Sequence, residues 1–283
     1  MLQKGLDVLQ KAHEGYYAVG AFNFSNMEFA KAIVEAAEEL EAPVILSASQ
    51  GAIKYAGIEQ IEAIAKAAAD SVKVPVVLHL DHGSDMNVIY SCIRHGFSSV
   101  MIDASKHPLD ENIRLTRHVA DIAHGAGISI EAEIGRIGGA EEHIVVAEGE
   151  EIYTDPAEAK KLVDEAMVDY LAIAVGTAHG VYKGEPRVDF ERIREIKKLL
   201  NMPLVLHGSS GVPEATIKEA IRSGINKINI DTDLRQAFAK SLREFLAEKP
   251  EEYDPRKILT PTREAVKAVV KKKIEMFGSV GKA

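Results

Sequence analysis

Three histidines follow short apolar runs, each beside a glycine or an acidic residue: His82 in VPVVLHLDHGS, His179 in LAIAVGTAHG and His207 in PLVLHGSSG. Imidazoles delivered from three separate strand ends make a catalytic zinc site with one coordination position left open. The ends of the apolar runs, taken in order, carry Asn23, Ser49, Asp81 with His82, Asp103, Glu131 with Glu133, His179, His207, and Asn229 with Asp231. Asp81 beside His82 suits an acid/base whose pKa is tuned by its surroundings; the alternative is an acceptor that orients a ligand histidine. Catalysis is the preferred reading. Glu131 and Glu133 share one face of a strand by its period of two. That face points into the site, where a buried carboxylate needs a partner and a metal is the simplest one. Asp103 offers an outer-sphere acceptor or a second metal position. His79 is the nearest competitor of His82, which is preferred because Gly83 follows it and gives the backbone room. His13, His95, His107, His118, His124 and His143 read as solvated or packing residues.

Two turns suit phosphate. HGSSGVPEATIKEA places Gly208, Ser209, Ser210 and Gly211 just before a helix starting at Pro213, so N–H groups, hydroxyls and a helix N-terminus meet in one anion site. NIDTDLRQAF repeats the arrangement, and Gly180 after His179 offers another backbone donor.

These groups need a frame. Eight apolar runs, near 16–22 and from Pro43, Val74, Ser98, Gly127, Asp169, Pro203 and Asn226, are short and bounded by turn residues, as strands are. Segments of helical period lie between them, from MEFAKAIVEAAEEL to TDLRQAFAKSLREFLAEK. Asp155 and Pro156 are placed as cap and first residue of one of these helices. Eight strand–helix pairs predict an α/β (β/α)8 TIM barrel. A doubly wound sheet is the rival, but its functional groups should gather at one switch point, whereas here they end every strand. No linker interrupts residues 1–283, which read as one domain. The stretch 138–154 is long for a βα loop and reads as a mobile active-site loop. The tail from Glu248 adds a helix beyond the eight pairs, packed on the barrel or on a neighbour.

The 283 residues carry a formal net charge of −9 and no basic stripe, which argues against nucleic acid but not against anionic small substrates. The one cysteine, Cys92, cannot close an intrachain disulfide and fits a reducing cytoplasm. No apolar stretch approaches a membrane span, and the amphipathic N-terminus lacks a signal-peptide core.

LHLDHG, AVGTAHG, VLHGSSG and INIDTDLR, in this order and spacing, resemble the class II, metal-dependent fructose-1,6-bisphosphate aldolases, and the resemblance runs from AFNFSNME to DPRKILTPTREAV. It implies reversible cleavage of fructose 1,6-bisphosphate to dihydroxyacetone phosphate and glyceraldehyde 3-phosphate. It also implies a zinc ion on His82, His179 and His207, with an alternative or second position near Asp103 and Glu133. By the same resemblance Asp81 is the acid/base for the hydroxyl and carbonyl being made or broken. Asn229, Asp231, Thr232, Gly180, Gly208, Ser209 and Ser210 match the dihydroxyacetone-phosphate site, with a monovalent cation (Na⁺ or K⁺) near its phosphate in many members. Asn23 and Ser49 match substrate-side positions. Arg256 in DPRK matches an arginine that reaches the far phosphate from a neighbouring subunit, implying a homodimer or homotetramer. Glu141 and Glu142 are adjacent in the loop that carries the acid/base of the three-carbon half, and Glu142 is the choice.

The chemistry is coherent: breaking C3–C4 leaves negative charge on the ketose half, which a Lewis acid stabilises. The Schiff-base route needs a desolvated lysine at the barrel mouth. No lysine ends a strand; Lys227 opens the eighth at the wrong end, and Lys54, Lys106 and Lys183 lie in βα loops. Tagatose-1,6-bisphosphate aldolase is the near alternative. A zinc-dependent hydrolase is the alternative of another class, disfavoured by the two phosphate-like turns and the lack of an HxH pair on the first strand. A non-catalytic barrel is a third.

Overall fold

The computed structural model of the chain describes residues 1–141, 144–146, 152–182, 184 and 186–283. Its strands in chain order are β1 (Val19–Asn23), β2 (Val44–Ser49), β3 (Val76–Gly83), β4 (Ser99–Ile102), β5 (Ser129–Ile134), β6 (Gly138–Glu141), β7 (Ile144–Val146), β8 (Tyr170–Ile173), β9 (Ala178–His179), β10 (Leu204–Leu206) and β11 (Ile225–Ile230). The helices are α1 (Gly5–Gly15), α2 (Met27–Glu39), α3 (Gln50–Ala56), α4 (Ile58–Asp70), α5 (Met86–Arg94), α6 (Leu109–Gly125), α7 (Pro156–Ala166), α8 (Phe190–Leu200), α9 (Glu214–Ser223), α10 (Thr232–Glu248) and α11 (Pro255–Phe277). Eight strands close a parallel barrel in the order β1-β11-β10-β8-β5-β4-β3-β2, as the eight apolar runs predict. Asp155 caps α7 by accepting from Ala157 and Glu158 N–H, with Pro156 in the first turn.

Alternation along the strands sorts two cores. Leu46, Leu78, Leu80, Val100, Ile130, Leu171, Leu206 and Ile228 face outward and pack under the helices. Val19, Ala21, Ile45, Val77, Tyr170, Ala172 and Val205 face inward and form a smaller cluster with Val8, Leu9 and Ala12 of α1. Helix α1 therefore plugs the N-terminal end of the barrel, with Leu6 N–H donating to Ser129 Oγ at 2.9 Å. The extra helix α11 packs on this chain: it buries Val266, Val270, Ile274 and Phe277 against α10 and α2.

Three features differ from the sequence reading. The segment after β2 holds a separate short helix, α3, capped by Ser49 Oγ accepting from Ala52 N–H at 3.1 Å. The long excursion after β5 contains β6 and β7, which join β9 in a small second sheet. Lys227, expected at the wrong end of its strand, is the third residue of β11 and lies wholly inside the barrel, its Nζ 2.7 Å from Glu131 Oε2. It shares the inward face with Asn229, two residues on, because the strand period is two.

Candidate active site

The C-terminal ends of β3, β10 and the short β9 bring the three histidines together. Their ring nitrogens lie within 4.8 Å of one another, and all three side chains are buried. The rings stand nearly perpendicular in pairs, at 83° for His82 with His179 and 78° for each pair with His207. His82 Nε2 and His207 Nδ1 approach to 2.8 Å. His179 reaches the group from β9, beyond the end of β8, where β6 pairs with it (Gly139 opposite His179).

Asp81 and His82 are consecutive, so strict alternation would send them to opposite faces. The register against β4 shifts between Leu80 and Gly83, and His82 adopts φ 49°, a left-handed conformation that costs a non-glycine residue about 1–3 kcal/mol. This bulge turns both side chains into the barrel mouth. At Gly83 a Cβ would sit 2.4 Å from Met101 O, so the room expected there is required.

Asp81 is held from both sides. Asn23 Nδ2 donates to Oδ2 at 2.9 Å and Asn229 Nδ2 to Oδ1 at 3.0 Å. The buried carbonyl oxygens of both asparagines have no hydrogen-bond partner and are available to a ligand. Burial pushes the Asp81 pKa up, but the positive charges around it, His82 first, outweigh burial and lower it. Asp81 is therefore an ionised carboxylate.

His82 Nδ1 is 3.0 Å from Asp103 Oδ2 and 3.9 Å from Glu133 Oε2. Burial opposes charge on His82, yet Asp81, Asp103 and Glu133 together raise its pKa to about 10. Burial, then the neighbouring His82, lowers the pKa of His179 and of His207, which keeps lone pairs on neutral rings. Burial and the like charge of Asp103 push Glu133 well above the carboxylate range, and its Oε2 is buried without a hydrogen bond.

A divalent cation fits this donor set. His82, His179 and His207 form one group able to hold it, and His82, Asp103 and Glu133 form a second. Three neutralisable imidazoles suit zinc. Glu131, expected to seek a metal, instead takes Lys227 on one oxygen and His207 Nε2, at 2.8 Å, on the other.

The anion-suited turns border this cluster. Ser209 and Ser210 are buried, Gly208 has φ 61°, and its Cβ would lie 2.5 Å from Ala178 O. Asp233 N–H donates to Ser210 Oγ at 3.3 Å, and Asp233 Oδ2 accepts from Gly211 N–H at 3.3 Å and pairs with Lys273 Nζ of α11 at 2.6 Å. The extra helix thus fastens the turn, a role the sequence signals only as a lysine on the buried face of α11. Asp231 sits at the end of β11, pairs with Arg235 at 2.7 Å and precedes Thr232, the first residue of α10. Gly180, with φ 85°, follows His179. Ser49 is buried beside Asp81 in register but already caps α3. Arg256 does not join the cluster: it is exposed at the start of α11 and paired with Asp254 at 2.8 Å. Glu142 lies outside the described residues.

Tyr182 was not foreseen. Its Oη accepts from Ala178 N–H at 2.7 Å and donates to Gly208 O at 2.7 Å, tying the strand of His179 to the turn after His207. Tyr182→Phe leaves both backbone groups without this partner, at about 1–3 kcal/mol. We expect kcat/KM to fall about tenfold in steady-state assays; unchanged kinetics would show that the tie is dispensable.

Among the described residues no helix is long and apolar enough to cross a membrane. Residues 3–282 match the family model described as fructose-bisphosphate aldolase class-II. A fructose-bisphosphate aldolase from Thermus caldophilus is 47% identical, with 100% of both chains covered. A probable fructose-bisphosphate aldolase from Bacillus subtilis (strain 168) is 49% identical, with 98% of each covered. Among solved structures, the YdjI aldolase from Escherichia coli K12 superposes with a TM-score of 0.89 at 37% identity, over 100% of both chains. With this match over nearly its whole length, and with a barrel mouth built of three histidines and an ionised aspartate, the chain belongs to the class-II fructose-bisphosphate aldolases.

Proposed function

We propose that the chain, as one domain spanning residues 1–283, catalyses the reversible cleavage of fructose 1,6-bisphosphate to dihydroxyacetone phosphate and glyceraldehyde 3-phosphate. The observation that carries this reading is the convergence of His82, His179 and His207 beside Asp81 at the mouth of the barrel. Those three histidines would hold a zinc ion, with Asp103 and Glu133 serving a second position. When bound, zinc supplies the Lewis acidity that stabilises negative charge on the ketose half.

The chain's own groups do the rest. Asp81 takes the proton from the C4 hydroxyl during cleavage and returns it to the aldehyde oxygen during condensation. Asn23 and Asn229 aim its oxygens by donating one amide N–H each, and their partnerless carbonyl oxygens accept substrate hydroxyls. Gly180, Gly208, Ser209, Ser210, Asn229, Asp231 and Thr232 hold the dihydroxyacetone-phosphate end, through backbone N–H groups and hydroxyls. A monovalent cation, Na⁺ or K⁺, sits near that phosphate. Ser49 borders the substrate. Glu142 moves the proton on the three-carbon half. Arg256 serves the far phosphate of a neighbouring subunit in a homodimer or homotetramer; its exposure supports that assignment. The enzyme works in the cytoplasm.

The substrate assignment is tested by comparing kcat/KM for fructose 1,6-bisphosphate and tagatose 1,6-bisphosphate in a coupled assay. The two differ at one epimeric centre, and we expect fructose to be favoured by at least about tenfold. A preference for the tagatose sugar would overturn it.

A further inference from the structure

Barrel interiors are filled by layers of branched aliphatic side chains, yet directly beneath the histidine cluster this one holds charge. Glu131 of β5 and Lys227 of β11 are both fully buried and pair at 2.7 Å. His79 of β3 lies 3.4 Å from Glu131 Oε2 and 3.5 Å from Lys227 Nζ. Its Nδ1 is 2.6 Å from Ser99 Oγ, which in turn meets Tyr170 Oη. The series leads from the plugged end of the barrel up to a single point of the site, His207 Nε2, 2.8 Å from Glu131 Oε1.

That contact has a chemical consequence. A carboxylate offers only acceptor oxygens, so the nitrogen facing Glu131 must carry the ring hydrogen. A neutral imidazole has one N–H and one lone pair. The lone pair of His207 therefore resides on Nδ1, the nitrogen that faces His82 and the centre of the cluster. Lys227 Nζ, 2.7 Å from Glu131 Oε2, is the cation that this buried carboxylate pairs with.

We propose that Glu131 and Lys227 are positioning residues that fix the tautomer and ring orientation of His207, so that its Nδ1 is the donor presented to the metal. The proposal rests on reading His207 as a ligand. It distinguishes Glu131 from Glu133: one points down to a lysine and serves the ligand, the other sits in a metal-capable group.

The test exploits the two donors that Glu131 must satisfy. In Glu131→Gln one oxygen and one NH₂ replace two oxygens. The oxygen goes to the Lys227 ammonium, the NH₂ faces His207, and the ring must move its hydrogen to Nδ1. Zinc affinity, measured by competition with a chromophoric chelator, should weaken about 10–100-fold, and the visible spectrum of the cobalt-substituted protein should change. In the double variant Glu131→Gln/Lys227→Met the oxygen is released to accept from Nε2–H, and most of the affinity and the original spectrum should return. Far-UV circular dichroism and thermal melts accompany each variant.

Wild-type affinity and spectrum in Glu131→Gln would overturn the proposal. So would a double variant no better than the single one, since a simple loss of packing has no reason to be repaired by a second core change. Nitrogen-15 chemical shifts of His207 in selectively labelled, unmutated protein read the tautomer directly: hydrogen on Nε2 supports the proposal, and hydrogen on Nδ1 sinks it even if the variants fail to fold. Failure of the unmutated protein to bind zinc would instead overturn the ligand reading, and the nitrogen-15 experiment would still decide the tautomer.

Discussion

Asp81→Asn is expected to lower kcat for bisphosphate cleavage by roughly 10²–10⁴-fold, the usual contribution of a positioned general base, while zinc content and melting temperature change little. The substitution keeps the shape and removes the base. It also presents an NH₂ to one of the two asparagine amides that now donate to the carboxylate from opposite sides, so the side chain must turn or leave a donor unpaired. Because Asp81 belongs to neither metal-capable histidine and carboxylate group, the loss should appear in kcat rather than in metal stoichiometry. Steady-state kinetics with metal analysis on the same preparation checks both. An active variant, or one that is inactive because it has lost its metal, would remove Asp81 from the role of base.

Metal removal should be as severe. Dialysis against a strong chelator is expected to suppress cleavage to background, and added zinc to restore it. The Lewis-acid contribution of several kcal/mol corresponds to at least about a thousandfold in rate. Borohydride added with substrate should leave activity intact, because Lys227, the buried lysine beneath the cluster, is unsuited to imine formation. Lys227 lies under the site with its ammonium pinned to Glu131 and no exposure to solvent; a Schiff-base amine must be neutral and open to the substrate carbonyl. Cleavage that survives complete metal removal, or a covalent adduct trapped by borohydride, would rule out the zinc mechanism.

The barrel was legible in the sequence because parallel strands buried on both faces read as short apolar runs, and eight of them alternate with helical periods. The same runs end on His82, His207, Asn229 and Asp81, so most of the site could be written down by position. What alternation could not supply is how Asp81 and His82, adjacent in the chain, face the same way: the register shift and the left-handed backbone at His82 are local events with only Gly83 as a hint. His179 was expected at a barrel strand end, but it is carried by β9, two residues long and too short to leave a periodic signal. Helix α3 was missed for a similar reason, at seven residues. Glu131 was matched to a metal because a buried carboxylate demands a cation, and the cation turned out to be Lys227. The strand period of two, counted back from Asn229, places that lysine inside the barrel.

The Lys227–Glu131 pair also bears on how the chain assembles. Its partners are 96 positions apart, and the lysine arrives on the last strand of the barrel. Until β11 is in place, a sheet built from β1 to β5 would enclose the Glu131 carboxylate without its cation, and a buried charge that lacks its partner costs about 3–5 kcal/mol. The pair therefore disfavours drying the interior before β11 is in place, and it couples desolvation of the interior to closure of the wall by the final strand.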